Sequence, residues 1–267
     1  MTRGFSAGAP RTVPGVDTDR ARARSFGAVA ADYARFRPGY PRAAVEWALQ
    51  PVLGASAPPR LLDVGAGTGK LTAAMLAFGP VTAVEPDGGM LDELRARIPE
   101  ATAVSGSAEE LPAEDSSVDA VLVGQAWHWF DHDRALAEAA RVLRPGGVLA
   151  VLWNDDDLDI EWVQGYREVL HSLRDEPPAA GSDNVPALPA HPAFAHSRHS
   201  RHPNPVRTTA DGLVATMGTH SWLLISEPRA RERALGALRD YLAGRPETSA
   251  GEFELPLVTA VVRTLRK

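Results

Sequence analysis

Short apolar runs alternate along this chain with longer segments of helical spacing. Leu61 to Val64, Val81 to Val84, Ala101 to Ser105, Asp119 to Gly124 and Val148 to Trp153 read as strands. Between them, helical patterns run from Arg42 to Leu53, from Lys70 to Leu76, from Asp87 to Arg97 and from His132 to Leu143. Asp87 and Asp131 stand as N-caps, and Gly79-Pro80 and Pro99 stand as stops. Asp119 to Gly124 is almost wholly apolar, which suits a strand covered on both faces. Strict strand–helix alternation predicts a parallel sheet with helices on both sides.

Beyond Trp153 the pattern loosens. A loop and helix are expected from Asn154 to about Leu173, opening on Asp155-Asp156-Asp157. Those aspartates read as solvated groups favouring a helix N-terminus, with a cation site as the lesser alternative. Asp175 to Pro192 is rich in Pro, Ala, Gly and Ser and reads as a loop, and His191, His196, His199 and His202 follow without a metal-ligand spacing. A short helix is expected from Thr209 to Met217. A longer one is capped by Ser226, has Pro228 in its first turn, and carries the stripe Ala230, Ala234, Leu235, Leu238 and Leu242. Phe253 to Leu265 reads as a closing strand, with Pro256 suiting an edge.

The chemistry concentrates after the first strand. Gly65, Gly67 and Gly69 alternate between that strand and the helix, so unobstructed backbone N–H groups meet a helix N-terminus. Such a turn accepts the polar or negative part of a ligand. Glu85 closes the second strand, where a carboxylate can accept two hydrogen bonds from a ribose diol. The spacing Asp63-x-Gly65-x-Gly67-x-Gly69 differs from the G-x-G-x-x-G of nicotinamide-binding folds.

Together these residues resemble the cofactor half-site of the class I S-adenosylmethionine-dependent methyltransferases. The turn Val142-Leu143-Arg144-Pro145-Gly146-Gly147 and its following strand resemble that family's third motif. The resemblance covers residues 25 to 153 strongly and 205 to 267 loosely. It implies an α/β, doubly wound, Rossmann-like seven-stranded sheet, mostly parallel with an antiparallel C-terminal strand, plus a small helical substrate cap. It implies S-adenosyl-L-methionine as cofactor, held by Asp63, Gly65, Ala66, Gly67, Gly69, Glu85 and Pro86, with Gln125 past the fourth strand. Phe26 to Pro41 resembles the leader that folds over the cofactor, which would put Tyr33 and Arg37 near its methionine moiety; a surface helix with a docking face is the plainer reading. The loop Gly106 to Pro112 would hold the adenine. Many relatives carry Asp where this chain has Ser107, so Ala108 by its backbone or Glu109 are further candidates.

Gln125-Ala126-Trp127-His128-Trp129-Phe130 lies where open α/β sheets bind ligands. His128 is the candidate catalytic residue, with a framework role as the alternative. Trp127 and Trp129, with His220 and Trp222 further on, are candidates for the substrate side. This segment resembles a subgroup that includes methyltransferases of small carboxylates such as trans-aconitate, which makes oxygen, as carboxylate or hydroxyl, the expected acceptor atom. The same scaffold also admits a non-methylating reaction such as cyclisation, or a non-enzymatic cofactor-binding partner protein.

Composition narrows the classes. The net charge is −6 with no long basic block, so nucleic-acid binding is not expected; a small-molecule substrate is what the resemblance implies. The absence of cysteine excludes disulfides and thiolate chemistry. No apolar run reaches membrane-spanning length, and the N-terminus has no signal-like core, so no membrane partner and a cytoplasmic location are expected. No metal is expected, and the oligomeric state is left open. The expected organisation is a mobile segment 1–24 and a single domain 25–267. Within the domain the cofactor core spans about 43–153, cap insertions about 155–245, and the closing strand about 253–265.

Overall fold

The computed structural model describes residues 37–173, 187–224 and 226–267. Helix α1 (Arg42–Leu49) tightens into a 3-10 turn (Gln50–Val52), where Pro51 interrupts the expected helix. Strands β1 (Leu61–Val64), β2 (Val81–Glu85), β3 (Thr102–Ser105) and β4 (Val118–Gly124) follow. Helix α2 (Lys70–Met75) lies between β1 and β2, and α3 (Gly88–Arg97) between β2 and β3. After β4 come a 3-10 turn (Trp127–Trp129), α4 (His132–Val142) and β5 (Leu143–Asp156). Asp87 and Asp131 do cap α3 and α4, their side chains accepting from Met90 N and Arg134 N.

The remaining elements are α5 (Glu161–Ser172), β6 (Arg198–Pro203), β7 (Val206–Thr208), α6 (Ala210–Gly218), α7 (Ser221–Leu224), α8 (Pro228–Ala243), β8 (Phe253–Leu255) and β9 (Leu257–Leu265). The main sheet has seven strands in the order β3-β2-β1-β4-β5-β9-β6. The first five are mutually parallel, and β9 runs antiparallel between β5 and β6. The strand order reverses between β1 and β4, which opens a crevice at their carboxyl ends.

Strand alternation builds a core on each face of this sheet. Val121, Val123, Leu149 and Val151 pack on one side with α4, while Ala120, Leu122, Ala150 and Leu152 pack on the other with α1. A third cluster joins Trp162, Tyr166, Leu213, Leu238 and Leu242 of α5, α6 and α8. Those helices, with the small β7–β8 sheet, make a unit seated beyond the end of β5.

Four local expectations change. The closing strand is divided at Pro256: β8 pairs with β7, whereas β9 is interior, so the proline marks a switch of sheets and not an edge. The histidine-rich stretch contributes β6, one edge of the sheet, whose exposed Arg198, His199 and Arg201 suit an edge that must not pair further. β5 is longer than expected, because Gly146 and Gly147 exchange backbone hydrogen bonds with Arg266 and extend it through a register shift. Ser226 does not cap α8; Glu227 occupies that position, and the Ser226 hydroxyl donates to Trp222 O.

The acidic run is also not a solvated helix start. Asp155 and Asp156 end β5 and share Arg167 Nη1 of α5, at 3.0 Å and 2.7 Å. Asp156 is buried, and desolvation raises its pKa even beside that guanidinium. A buried pair of this kind contributes little net stability when intact, but breaking it costs several kcal/mol, about 3 to 5. It therefore ties α5 to the sheet.

Candidate functional site

The residues after β1 turn on three glycines with positive φ: 68° at Gly65, 57° at Gly67 and 87° at Gly69. The turn is fastened to the next strand. Gly65 N and Ala66 N donate to Val84 O, and Gly67 N donates to Glu85 Oε2 at 2.8 Å. Glu85 Oε1 accepts from Asp87 N at 2.9 Å. Glu85 is 6% exposed, and burial raises its pKa against those backbone donors.

A cleft of about 440 Å³, open to solvent, lies beside this turn. Its walls are Arg37, Pro38 and Tyr40 from the chain before α1, Asp63 to Leu71 apart from Val64 and Gly69, Gly124 and Gln125 after β4, and Asn154 of β5. Asp63 at its floor is fully buried. Its Oδ2 accepts from Thr72 Oγ1 at 2.5 Å, while Oδ1 has no partner among the described residues. Desolvation pushes the Asp63 carboxyl up to about 7. Thr68 Oγ1 is likewise buried without a partner, and burial lowers the pKa of Lys70.

Gln125 has φ of +58°, one of two positive values at non-glycine positions among the described residues. Such strain concentrates at functional sites. Its Nε2 donates to Asn154 O at 2.8 Å. Arg37 also lines the cleft and donates to Thr219 Oγ1, 3.1 Å away, just beyond α6.

The structure thus gathers Asp63, Gly65, Ala66, Gly67, Gln125 and Arg37 in one cleft, with Glu85 bonded to its glycine loop. Gly69 is not on that surface; it faces Ile98 and Leu94, where the turn packs against α3. Pro86 is exposed beside Glu85. Ser107 bridges to Glu110, the Ala108 side chain is in the core, and Glu109 accepts from Asp131 N at 3.0 Å. These three are held on the loop after β3 and do not line the cleft. Tyr33 lies outside the described residues.

The aromatic segment divides in two. Trp127 is not at the mouth: it is 5% exposed within the core under α4, stacked on His132 at 5.0 Å. The 3-10 turn sends Trp127 inward and leaves His128 on the surface. His128 is exposed, its ring 4.3 Å from Trp129 and 5.0 Å from Trp153. His220 and Trp222 follow Thr219, the partner of Arg37, and Trp222 packs on the helical cluster of α5, α6 and α8. Sequence reading missed Thr68, Lys70, Tyr40 and Asn154. The first two sit inside the glycine motif, which offered a signal, whereas Asn154 offered none.

A family model described as a methyltransferase domain matches residues 62–151. An uncharacterized methyltransferase of Mycobacterium tuberculosis is 40% identical over 241 residues, which cover 90% of this chain and 94% of that one. A malonyl acyl-carrier-protein O-methyltransferase of Methylococcus capsulatus is 40% identical over 125 residues, 42% of this chain and 46% of its own. A solved structure assigned provisionally as a Type II methyltransferase from Anaeromyxobacter dehalogenans has a TM-score of 0.62 at 28% identity, covering 86% of this chain and 98% of that one. No helix among the described residues is long and apolar enough to cross a membrane. With a crevice at the strand-order reversal, a glycine turn fastened to Glu85 and a near full-length methyltransferase relative, the chain is an enzyme of the class I S-adenosylmethionine-dependent methyltransferase family.

Proposed function

We propose that this methyltransferase moves the methyl group of S-adenosylmethionine to an oxygen of a small molecule, a carboxylate before a hydroxyl. The observation that carries the cofactor assignment is Asp63 Oδ1, buried in the lining of the cleft and without a partner among the described residues. A buried carboxylate oxygen left open calls for a donor, and the ammonium of the cofactor's methionine part is a cationic one. In this reading the backbone of Gly65, Ala66 and Gly67 follows the cofactor, and Glu85 accepts from the ribose diol with its remaining lone pairs. Arg37 and Gln125 flank the methionine part, while the loop from Ser107 to Glu109 takes the adenine edge.

The sulfonium supplies an already activated methyl group. What remains for the chain is to hold an acceptor oxygen in line, about 3 to 3.5 Å from the carbon, and to exclude water. A carboxylate acceptor loses no proton, so no base is required. His128, with Trp129 and Trp153 around it at the ends of β4 and β5, is placed in this reading to anchor the acceptor's negative charge. The partial likeness to an O-methyltransferase supports oxygen as the acceptor atom. Residues 43–153 serve as the cofactor core, and the unit of α5 to α8 as a substrate-side cap that includes His220 and Trp222.

Calorimetric titration tests the cofactor assignment. S-adenosylmethionine and its demethylated product are expected to bind and to raise the melting temperature, and NADH to do neither. No heat and no shift at millimolar cofactor would remove the assignment.

A further inference from the structure

The chain from Arg37 to Tyr40 forms one wall of the cleft, and a single carbonyl holds its centre. Gly39 O accepts from Asn154 Nδ2 and from Asn204 Nδ2, each at 2.9 Å. Both of its lone pairs are thereby used by amides 50 residues apart in sequence. The two amides are also joined, since Asn204 Nδ2 lies 3.1 Å from Asn154 Oδ1, which takes a further hydrogen bond from Thr259 Oγ1 at 2.5 Å. The backbone carbonyl of Asn154 in turn receives Gln125 Nε2. Asn154 is therefore the point where the wall, the strained residue after β4 and the last strand meet.

Asn204 is the unexpected member. It does not line the cleft. It stands between Pro203 and Pro205 at the end of the edge strand β6, where the following proline biases it to extended backbone and its own N–H is spent on Leu257 O at 2.8 Å. A backbone fixed on both sides presents the side-chain amide at little entropic cost. Thr259 and Asn154, both buried, show the same economy: the Thr259 hydroxyl and both ends of the Asn154 amide have partners, which buried polar groups need if they are to specify one geometry.

We propose that Asn204, acting through Asn154 and Gly39, is a positioning residue for cofactor binding: it fixes the Arg37–Tyr40 wall against which the cofactor binds. The inference rests on the reading that this cleft takes the cofactor. It differs from a stability role in what it predicts. The wall contributes to cofactor affinity but does not touch the acceptor, so the effect belongs in cofactor binding and leaves saturated turnover alone.

The test uses the full chain and S-adenosylmethionine or its demethylated product as the titrant. Asn204→Asp keeps the shape but replaces the donor with an acceptor facing Gly39 O; Asn204→Leu removes both. Each is expected to weaken cofactor binding about three- to tenfold, the loss of one or two net hydrogen bonds. The cofactor KM should rise in step, and kcat at saturating cofactor should stay within about twofold. Asn204→Gln, which retains the donor on a longer arm, should recover part of the affinity. Wild-type affinity in Asn204→Asp, or affinity and kcat falling together with the melting temperature, overturns the proposal. Failure of the wild-type chain to bind either cofactor form overturns the underlying reading as well, which separates the two outcomes.

Discussion

Gly67 N donates to Glu85 Oε2 at 2.8 Å, so the turn after β1 is held by the residue that closes β2. With Asp87 N on the other oxygen, the carboxylate anchors two loops before any ligand arrives. Glu85→Ala would leave two N–H groups without acceptors. The expected result is a loss of stability of about 1 to 3 kcal/mol together with cofactor affinity weakened tenfold or more. Denaturant unfolding and calorimetry measure the two separately. A folded Glu85→Ala protein with unchanged cofactor affinity would remove Glu85 from the binding surface.

Asp63 makes stability and binding oppose each other. Burial pushes its carboxyl from an ordinary value of 3.8 up to about 7 in the folded chain. Between about pH 4 and 7 the folded state holds a proton that the unfolded state has released, so stability falls as pH rises through that window and is flat above it. The shift corresponds to roughly 4 kcal/mol at most. Asp63→Asn keeps an oxygen for the Thr72 hydroxyl and has no charge to bury. It should unfold at a higher temperature than wild type at pH 8, with a flatter pH dependence, while binding S-adenosylmethionine more weakly. Lower stability at pH 8 would contradict this assignment of the charge.

Two glycines of the turn separate folding from binding. A Cβ on Gly69 would come within 2.4 Å of Ile98 Cδ1 and 3.1 Å of Leu94 Cγ, at a φ of +87°. Gly67, at +57°, has only Met90 Sδ, 3.7 Å away. Gly67→Ala should therefore cost only the left-handed backbone, about 1 kcal/mol. Gly69→Ala adds overpacking of about 1 to 3 kcal/mol. Cofactor affinity should fall in Gly67→Ala, because Gly67 lines the cleft, and melting temperature should fall further in Gly69→Ala. The reverse order in either measurement would contradict the division.

His128 distinguishes the two oxygen acceptors. For a carboxylate, His128→Ala should raise the acceptor KM about tenfold and leave kcat nearly unchanged. A hundredfold loss of kcat would instead make His128 a base and the acceptor a hydroxyl.

The cleft around the glycine turn was legible because one short stretch encodes it. Alternate glycines after a four-residue strand admit few structures, and Glu85 follows at the next strand end. The buried runs of β4 and β5 likewise left little choice of sheet. Trp127 misled because an aromatic run at a strand end has no periodicity to separate inward from outward residues. Asn154 and Asn204 were invisible for another reason. Each is an ordinary loop-forming residue on its own, and their partnership exists only once β9 has paired with both β5 and β6. Pro256 was misread because one proline can equally mark an edge or a passage between sheets.

Transfer of the methyl group to oxygen is directly measurable. A single-turnover reaction with deuteromethyl-labelled S-adenosylmethionine and a panel of small carboxylates, alcohols and amines, read by mass spectrometry, tests it directly. The expected product is a labelled methyl ester, formed one for one with the demethylated cofactor and releasing labelled methanol in base. Label found on nitrogen or carbon, or demethylated cofactor formed without any labelled ester or ether, would contradict it.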